Sequence, residues 1–153
     1  MLETGKRVPN LDATLQGGSL LKGADLRGSW LVLYFYPKDA TTGCTREAQD
    51  FRDLHGQFVA AGARIVGVSR DSPASHARFI EKQLLPFDLI ADVDEVWCKA
   101  FDVLSEKQLY GRRYIGVVRS TFLINPEGVL VESWRNVKVP GHAEAVLSRL
   151  AEP

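Results

Sequence analysis

One run of apolar and aromatic residues, WLVLYFY from Trp30 to Tyr36, restricts the possible folds more than any other segment. A strand with one exposed face alternates between apolar and polar residues, whereas this run does not alternate. The run therefore predicts a central strand that is buried on both faces. It ends at Pro37, and a short polar turn follows.

The segment after the turn has the spacing of an amphipathic helix that begins near Cys44 and ends at Gly62. A second apolar segment, Ala63 to Ser69, reads as the next strand. A strand, a helix and a strand in this order predict two parallel strands joined by a right-handed crossover. The apolar stripe of the helix comprises Ala48, Phe51, Leu54, Phe58 and Ala61.

The rest of the chain predicts further helices and strands. Ser72 is a candidate N-cap with Pro73 at the first helical position, and FDLIAD is a short strand. DEVWCKAFDVL predicts a helix, YGRRYIGVV a loop, and RSTFLI and VLVESWR a hairpin around the NPEG turn, before the closing helix GHAEAVLSRLAEP. The buried stripe expected for DEVWCKAFDVL and the residue before it is Val93, Val96, Trp97, Ala100, Phe101 and Leu104.

With 153 residues, the chain is expected to form one domain over residues 1–153. The order of elements predicts an α/β protein with a central mixed β-sheet flanked by helices on both faces, as in the thioredoxin-like fold. The 19 basic and 19 acidic residues cancel, which argues against nucleic-acid or anionic-membrane partners. No signal peptide or membrane span is recognisable, so a cytoplasmic location is expected.

Cys44 is one of two cysteines, and its position at the start of a helix favours a thiolate. Such placement lowers a cysteine pKa from about 8.5 to between roughly 3.5 and 7.5. A drop to about 6 raises the ionised fraction at pH 7 about 30-fold, far short of the ~10⁶-fold acceleration of an enzyme. A catalytic Cys44 therefore requires hydrogen-bond donors and a fixed cation nearby.

Several other cysteine chemistries are disfavoured. The chain has no C-x-x-C pair, and the sixth residue after Cys44 is Asp50 rather than the arginine of the C-x₅-R cysteine phosphatase loop. The three histidines, His55, His76 and His142, fall in helical stretches and are expected to serve packing or the surface. Two cysteines without paired spacing make a poor metal site, so no metal or cofactor is expected.

Pro37, Thr41 and Cys44 fit the motif P-x-x-x-T-x-x-C, and YFYPKDATTGCTREAQDFRD resembles the reactive loop of the peroxiredoxin Q group, also called bacterioferritin comigratory proteins. The resemblance continues through LRGSWLVLYFYP, VGVSRDSPASHARF, YGRRYIGVVRSTFLINPEG and GHAEAVLSRL, in the expected order. It implies a thioredoxin-like fold and a thiol peroxidase for hydrogen peroxide and organic hydroperoxides.

The resemblance also implies residue roles. Cys44 matches the peroxidatic cysteine that becomes a sulfenic acid, and Thr41 matches the threonine that hydrogen-bonds the peroxide. Pro37 matches the proline that shields the cysteine from water. Arg119 matches the arginine that stabilises the thiolate and polarises the peroxide, and the N–H groups of Gly43 and Cys44 are further donors.

The chain departs from the group at Thr42, where proline is usual, and at Gln49, where many members carry a resolving cysteine. HARFIEKQ, the alternative location, also lacks one. The expectation is a one-cysteine mechanism with an external thiol, from thioredoxin, glutathione with glutaredoxin, or a lipoyl-type dithiol. Cys98 is the remaining internal candidate for a resolving cysteine, and a disulfide through Cys98 between two chains is a further alternative. Its helical phase predicts a partly exposed thiol. Nothing in the sequence places its helix beside Cys44, as a disulfide between the two requires.

The sequence hypothesis is thus a monomeric or weakly associating thiol peroxidase. The alternative is a redox-sensing or chaperone-like binding module in which oxidation of Cys44 switches a partner interaction. A thioredoxin-fold disulfide oxidoreductase is a third hypothesis, and the missing C-x-x-C disfavours it.

Overall fold

The computed structural model describes residues 2–152. Its helices are α1 (Thr42–Ala60), α2 (Pro73–Gln83), α3 (Val96–Ala100) and α4 (His142–Leu150). Its strands are β1 (Ala13–Thr14), β2 (Leu20–Leu21), β3 (Trp30–Phe35), β4 (Ala63–Ser69), β5 (Asp88–Ala91), β6 (Leu104–Leu109), β7 (Arg112–Val117), β8 (Ser120–Ile124) and β9 (Leu130–Arg135).

Five strands form the central sheet in the order β5-β4-β3-β8-β9. β3 and β4 are parallel, as are β4 and β5, whereas β8 runs antiparallel to both β3 and β9. This confirms the predicted central strand, the strand-helix-strand unit and the hairpin formed by β8 and β9. The predicted closing helix is α4, and Pro153 at its end lies outside the described residues.

Alternate residues of β3 point into two separate apolar layers. Leu31, Leu33 and Phe35 pack with α3 and the segment around β1 and β2, which we call the α3 face. Val32 and Tyr34 pack with α1, α2 and α4 on the opposite side, which we call the α1 face. Burial on both faces explains why the strand sequence does not alternate, and it confirms a mixed sheet between helices.

α1 begins where the sequence predicts, with Cys44 in its first turn. Ala48, Phe51 and Phe58 are buried against the sheet, whereas Ala61 is an exposed C-cap residue, contrary to expectation. The start of α2 also agrees, since the Ser72 hydroxyl accepts a hydrogen bond from the N–H of Ser75 at 3.1 Å.

The predicted helix over DEVWCKAFDVL is wrong in length and phase. Only Val96–Ala100 is helical, because Glu95 and Asp102 take left-handed φ values of 64° and 53° and bound the segment. The Asp92 carboxylate caps it by accepting hydrogen bonds from the N–H groups of Trp97 and Cys98 at 3.0 and 2.8 Å. The side chains assigned to the two ends of the stripe are not buried in a helix: Val93 and Val96 are exposed, and Leu104 begins β6.

The predicted loop YGRRYIGVV is instead the second half of an antiparallel hairpin formed by β6 and β7. Tyr110 and Gly111 form its turn, with φ values of 52° and 77°. Most side chains of the hairpin are exposed on both faces, so the sequence carries no apolar alternation there. The short β1–β2 pair also lacks a sequence signal and was not predicted.

Candidate active site

Pairing between β3 and β8 brings distant parts of the chain together at one edge of the sheet. Phe35 at the end of β3 pairs with Ser120 at the start of β8. Arg119 therefore lies beside the point where β3 leads into the loop Pro37–Thr41 and then into α1. The register of this one strand pair fixes the approach of Arg119 to the first turn of the helix.

Cys44, Arg119 and Glu47 form a continuous contact at this edge. Arg119 donates one hydrogen bond from Nη2 to Cys44 Sγ at 3.3 Å and another from Nη1 to Glu47 Oε1 at 2.7 Å. Cys44 is 2 % exposed and Glu47 is 1 % exposed. The guanidinium thus links a buried sulfur to a buried carboxylate, and each group fixes the position of its neighbour.

The charges at the site follow from burial and proximity. Burial raises the pKa of Glu47 to about 7, although the charge and hydrogen bond of Arg119 act in the opposite direction. Burial lowers the pKa of Arg119, but Glu47 and Cys44 outweigh this and leave the pKa raised. Arg119 is consequently a permanent cation that faces the sulfur at any physiological pH.

Gly43 leaves room for this contact. A Cβ atom at residue 43 would lie 3.3 Å from Arg119 Nη2, which is closer than most side-chain carbons approach a neighbour. The absence of a side chain lets the guanidinium lie against the first turn of α1, next to the backbone N–H groups that have no partner within the helix.

Thr41 and Pro37 lie in the loop that leads to Cys44, and within residues 2–152 Thr41 makes no hydrogen bond to the sulfur. Thr41 is the N-cap of α1, and its hydroxyl donates to the Lys38 carbonyl at 2.8 Å rather than to the helix. Pro37 is half-buried directly after β3. The structure therefore brings Arg119 and Gly43 together with Cys44, and leaves Thr41 and Pro37 in the adjoining loop.

Glu47 is a site residue that the sequence interpretation missed. Cys44 and Glu47 are separated by one helical turn, so they share a face of α1, and Ala48 and Phe51 lie on that same buried face. An acidic residue within an apolar stripe is a signal that could have been used, because buried carboxylates require a partner. Glu47 Oε2 and the nearby Tyr34 hydroxyl have no partner within residues 2–152.

The expectation that the Cys98 thiol is partly exposed was wrong, whereas its separation from Cys44 agrees with the structure. Cys98 is fully buried on the α3 face, whereas Cys44 lies on the α1 face, so the sheet separates the two thiols. Burial raises the pKa of Cys98, and the hydrogen bond and charge of Asp92 raise it further. The misplaced helix limits caused the error, because a helix of five residues presents no regular stripe.

The three histidines were expected to serve packing or the surface, and the structure places two of them in the interior and one half-buried. His142 is buried on the α1 face with Nε2 2.8 Å from Thr121 Oγ1, and burial lowers its pKa to about 4, with Arg119 adding to the effect. His55 is half-buried beside Phe87, and His76 is fully buried in a polar cluster below the loop. No histidine in residues 2–152 hydrogen-bonds Cys44, so the arrangement does not provide a Cys–His pair.

Comparisons with known proteins all identify one protein family. A family model described as AhpC/TSA matches residues 4–133. Peroxiredoxin Bcp of Xanthomonas campestris is 51% identical over 150 residues, which cover 98% of this chain and 94% of the relative. Peroxiredoxin Bcp of Bacillus subtilis is 46% identical over 151 residues, covering 99% and 96%.

Solved structures agree. Bacterioferritin comigratory protein of Xanthomonas campestris, solved as trapped intermediate and ligand complexes in work on its alkyl peroxide reduction, matches with a TM-score of 0.90 and 49% identity, covering 97% of each chain. Peroxidoxin BcpB of Mycobacterium tuberculosis matches with a TM-score of 0.87 and 30% identity, covering 98% of this chain and 97% of the matched chain.

A membrane-spanning helix needs a long apolar stretch, and no helix within residues 2–152 has one.

Proposed function

Since the chain belongs to the AhpC/TSA family and is a thiol-dependent peroxidase, we propose that Cys44 is the residue that its hydroperoxide substrate oxidises. The observation that carries this assignment is the 3.3 Å contact between Arg119 Nη2 and Cys44 Sγ. A buried sulfur with a fixed cation and a helix N-terminus beside it meets the electrostatic requirement derived from the sequence.

In the first step, the Cys44 thiolate attacks one oxygen of the peroxide. An S–O bond forms as the O–O bond breaks, and the leaving hydroxide or alkoxide takes up a proton to give water or an alcohol. Sulfur is oxidised to the sulfenic acid and the peroxide is reduced by two electrons. Negative charge moves from sulfur to oxygen during the step, and the Arg119 guanidinium lies where it stabilises both ends.

Thr41, Gly43 and Pro37 are assigned supporting roles. The Thr41 hydroxyl, which donates to Lys38 in the resting loop, turns towards the bound peroxide, and the N–H groups of Gly43 and Cys44 serve as further donors. Pro37 covers the sulfur from the loop side. Glu47 orients Arg119 through the 2.7 Å ion pair, so that one guanidinium nitrogen remains directed at the sulfur.

An external thiol then restores the enzyme. It condenses with the sulfenic acid to a mixed disulfide with loss of water, and a second thiol releases Cys44 and leaves as a disulfide. This one-cysteine mechanism is supported by the absence of cysteine at residue 49 and in α2. The burial of Cys98 behind the sheet also disfavours an internal disulfide with Cys44.

The decisive experiment is a thiol count with intact mass after one equivalent of hydrogen peroxide, analysed at once. Loss of one thiol and gain of one oxygen at Cys44 supports the proposal. Loss of both thiols without gained oxygen overturns the one-cysteine mechanism, and no reaction at Cys44 overturns the assignment itself.

The remaining assignments are one domain over residues 1–153, a monomer, and a cytoplasmic location with thioredoxin or glutathione with glutaredoxin as reductant. Coupled turnover with each reductant in turn identifies the physiological class, and light scattering after size exclusion measures the oligomeric state. The alternative of a redox-sensing or chaperone-like module is not favoured. The relatives are named as peroxiredoxins, and this chain matches them over nearly their whole length.

A further inference from the structure

Asp39 lies in the middle of the loop Pro37–Thr41 and is almost completely buried, with 6 % of its surface exposed. Its Oδ1 accepts a hydrogen bond from the Tyr36 hydroxyl at 2.6 Å. Its Oδ2 accepts from Ser75 Oγ at 2.9 Å and lies 2.7 Å from His76 Nδ1. The carboxylate thus ties the loop to the first turn of α2 and to the end of β3.

The His76 ring, which is 0 % exposed, faces hydrogen-bond acceptors at both nitrogens. Nδ1 faces the Asp39 carboxylate, and Nε2 lies 3.0 Å from the Ile90 carbonyl and 3.5 Å from Ser69 Oγ. The Ser69 hydroxyl donates to Asp71 Oδ2 and can only accept from the ring. Nε2 faces only acceptors and donates to the Ile90 carbonyl, while Nδ1 and Asp39 Oδ2 share a short, buried hydrogen bond.

The charged side chains around the ring are Asp39 in the loop and Asp71 after β4, and one ligand-type atom from each and from His76 lies within 4.8 Å of the others. Each of those atoms already has a hydrogen-bond partner, so the group is a closed network. The Asp71 carboxylate also accepts from the backbone N–H of Asp39 at 2.9 Å, which gives the loop a second attachment.

The loop contains a residue in an unfavourable backbone conformation, which the surrounding hydrogen bonds must hold in place. Ala40, immediately after Asp39, has a φ of 63°, a left-handed conformation that is unfavourable for a residue with a Cβ atom. A conformation of this kind persists only where surrounding contacts impose it. Asp39, which makes these bonds, directly precedes the strained residue, and Thr41 follows it as the N-cap of α1.

We propose that His76 is a positioning residue for the peroxidase reaction: its buried hydrogen bond with Asp39 holds the loop 37–41, and with it Cys44, in the conformation that reacts with peroxide. The proposal rests on the assignment of Cys44 made above. It also has a consequence for the second step, because Cys44 is 2 % exposed and a reductant thiol reaches it only when the loop opens. The His76–Asp39 pair therefore favours oxidation and opposes access by larger thiol reagents.

Two substitutions separate this role from simple packing. His76→Asn keeps an N–H near the Nδ1 position, facing Asp39, whereas His76→Gln places its N–H near the Nε2 position, facing Ile90. For His76→Gln we expect the rate of Cys44 oxidation by hydrogen peroxide in stopped flow to fall about tenfold or more, since small misplacement of reacting groups is costly. Alkylation of reduced Cys44 by iodoacetamide should rise several-fold. His76→Asn should keep the oxidation rate within about threefold of wild type.

Tyr36→Phe provides a second test that does not alter the ring, because it removes only the 2.6 Å bond to Asp39. It should shift both rates in the same directions by a smaller factor. Asp92→Asn is the matched control, since it neutralises another buried carboxylate on the α3 face without touching the loop. It should leave both rates of Cys44 unchanged while lowering the melting temperature.

The outcomes are distinct. If wild-type Cys44 does not react with peroxide, the proposed function fails. If wild type reacts, but the two His76 variants lose rate equally and in proportion to their melting temperatures, His76 is only a stabilising residue and the positioning role is wrong. Unchanged alkylation in both His76→Gln and Tyr36→Phe also overturns the proposal.

Discussion

Arg119 Nη2 lies 3.3 Å from Cys44 Sγ, although 75 positions separate the two residues in the sequence. The contact exists because β8 pairs with the end of β3, directly before the loop that leads into α1. It supplies the cation that a single helix-terminal thiol lacks.

Cys44→Ser should abolish peroxidase turnover, because a hydroxyl at this position cannot form the sulfenic acid. Cys98→Ser is the matched control, and it should retain turnover within about threefold, since Cys98 lies on the opposite face of the sheet. A coupled peroxide-consumption assay measures both variants. Residual turnover in Cys44→Ser, or its loss in Cys98→Ser, would contradict the assignment.

Arg119→Lys should slow oxidation of Cys44 by about 10²- to 10³-fold, the usual cost of removing one preorganised donor. Lysine keeps the charge but lacks the planar fork that contacts Cys44 and Glu47 simultaneously. Stopped-flow fluorescence gives the second-order rate, and circular dichroism checks the fold. Arg113→Lys on the exposed hairpin is the control, and an equal fall there would show that the loss of rate is not specific to Arg119.

Gly43→Ala should slow the reaction several-fold while leaving the free energy of unfolding equal or slightly higher. The new Cβ meets Arg119 Nη2 at 3.3 Å and displaces the guanidinium, whereas alanine is preferred over glycine in a helix by up to about 1 kcal/mol. Urea unfolding and stopped flow on the same sample test this opposite pair of effects. A variant that loses stability and rate together would place the cause in the helix rather than at Arg119.

Glu47→Gln should change the pH dependence of stability. The folded pKa of Glu47 is raised from 4.5 to about 7, so the native state holds this proton where the unfolded state has lost it. Its contribution therefore makes the wild type less stable as pH rises from about 4.5 to 7, by at most about 3 kcal/mol. Urea unfolding at pH 5 and pH 8 should show this loss in wild type relative to Glu47→Gln. An equal change in the free energy of unfolding of both proteins would contradict the prediction.

His142→Gln should reveal a dependence of stability on pH that is opposite in sign to that of Glu47. The folded pKa of His142 is lowered from 6.5 to about 4, so the unfolded state binds a proton that the native state excludes. The wild type should then lose up to about 3 kcal/mol relative to the variant as pH falls from about 6.5 to 4. Because the Glu47 and His142 contributions oppose each other, each must be measured as a difference between wild type and variant. If the wild type and His142→Gln lose the same stability as pH falls, His142 is not the cause of the loss.

Elements with a clear local pattern of burial or capping could be predicted from the amino-acid sequence. The non-alternating run at β3, the stripe of α1 with Cys44 in its first turn, and the Ser72 cap of α2 follow from local rules of spacing and capping. Such rules depend only on neighbours within about two helical turns. They failed where side chains are exposed on both faces, as in the hairpin of β6 and β7, and where single residues with left-handed φ shorten a helix, as in α3.

Contacts between side chains that are distant in the sequence could be seen only in the folded chain. The register of β8 against β3 brings Arg119 to Cys44, and burial of one face of α1 makes Glu47 the partner of Arg119. The side of the sheet on which Cys98 lies also depends on how α3 packs, and no local pattern specifies it. Local sequence sets the conformation of each element, whereas contacts at the site depend on strand order, register and packing, which many residues far apart in the chain fix together.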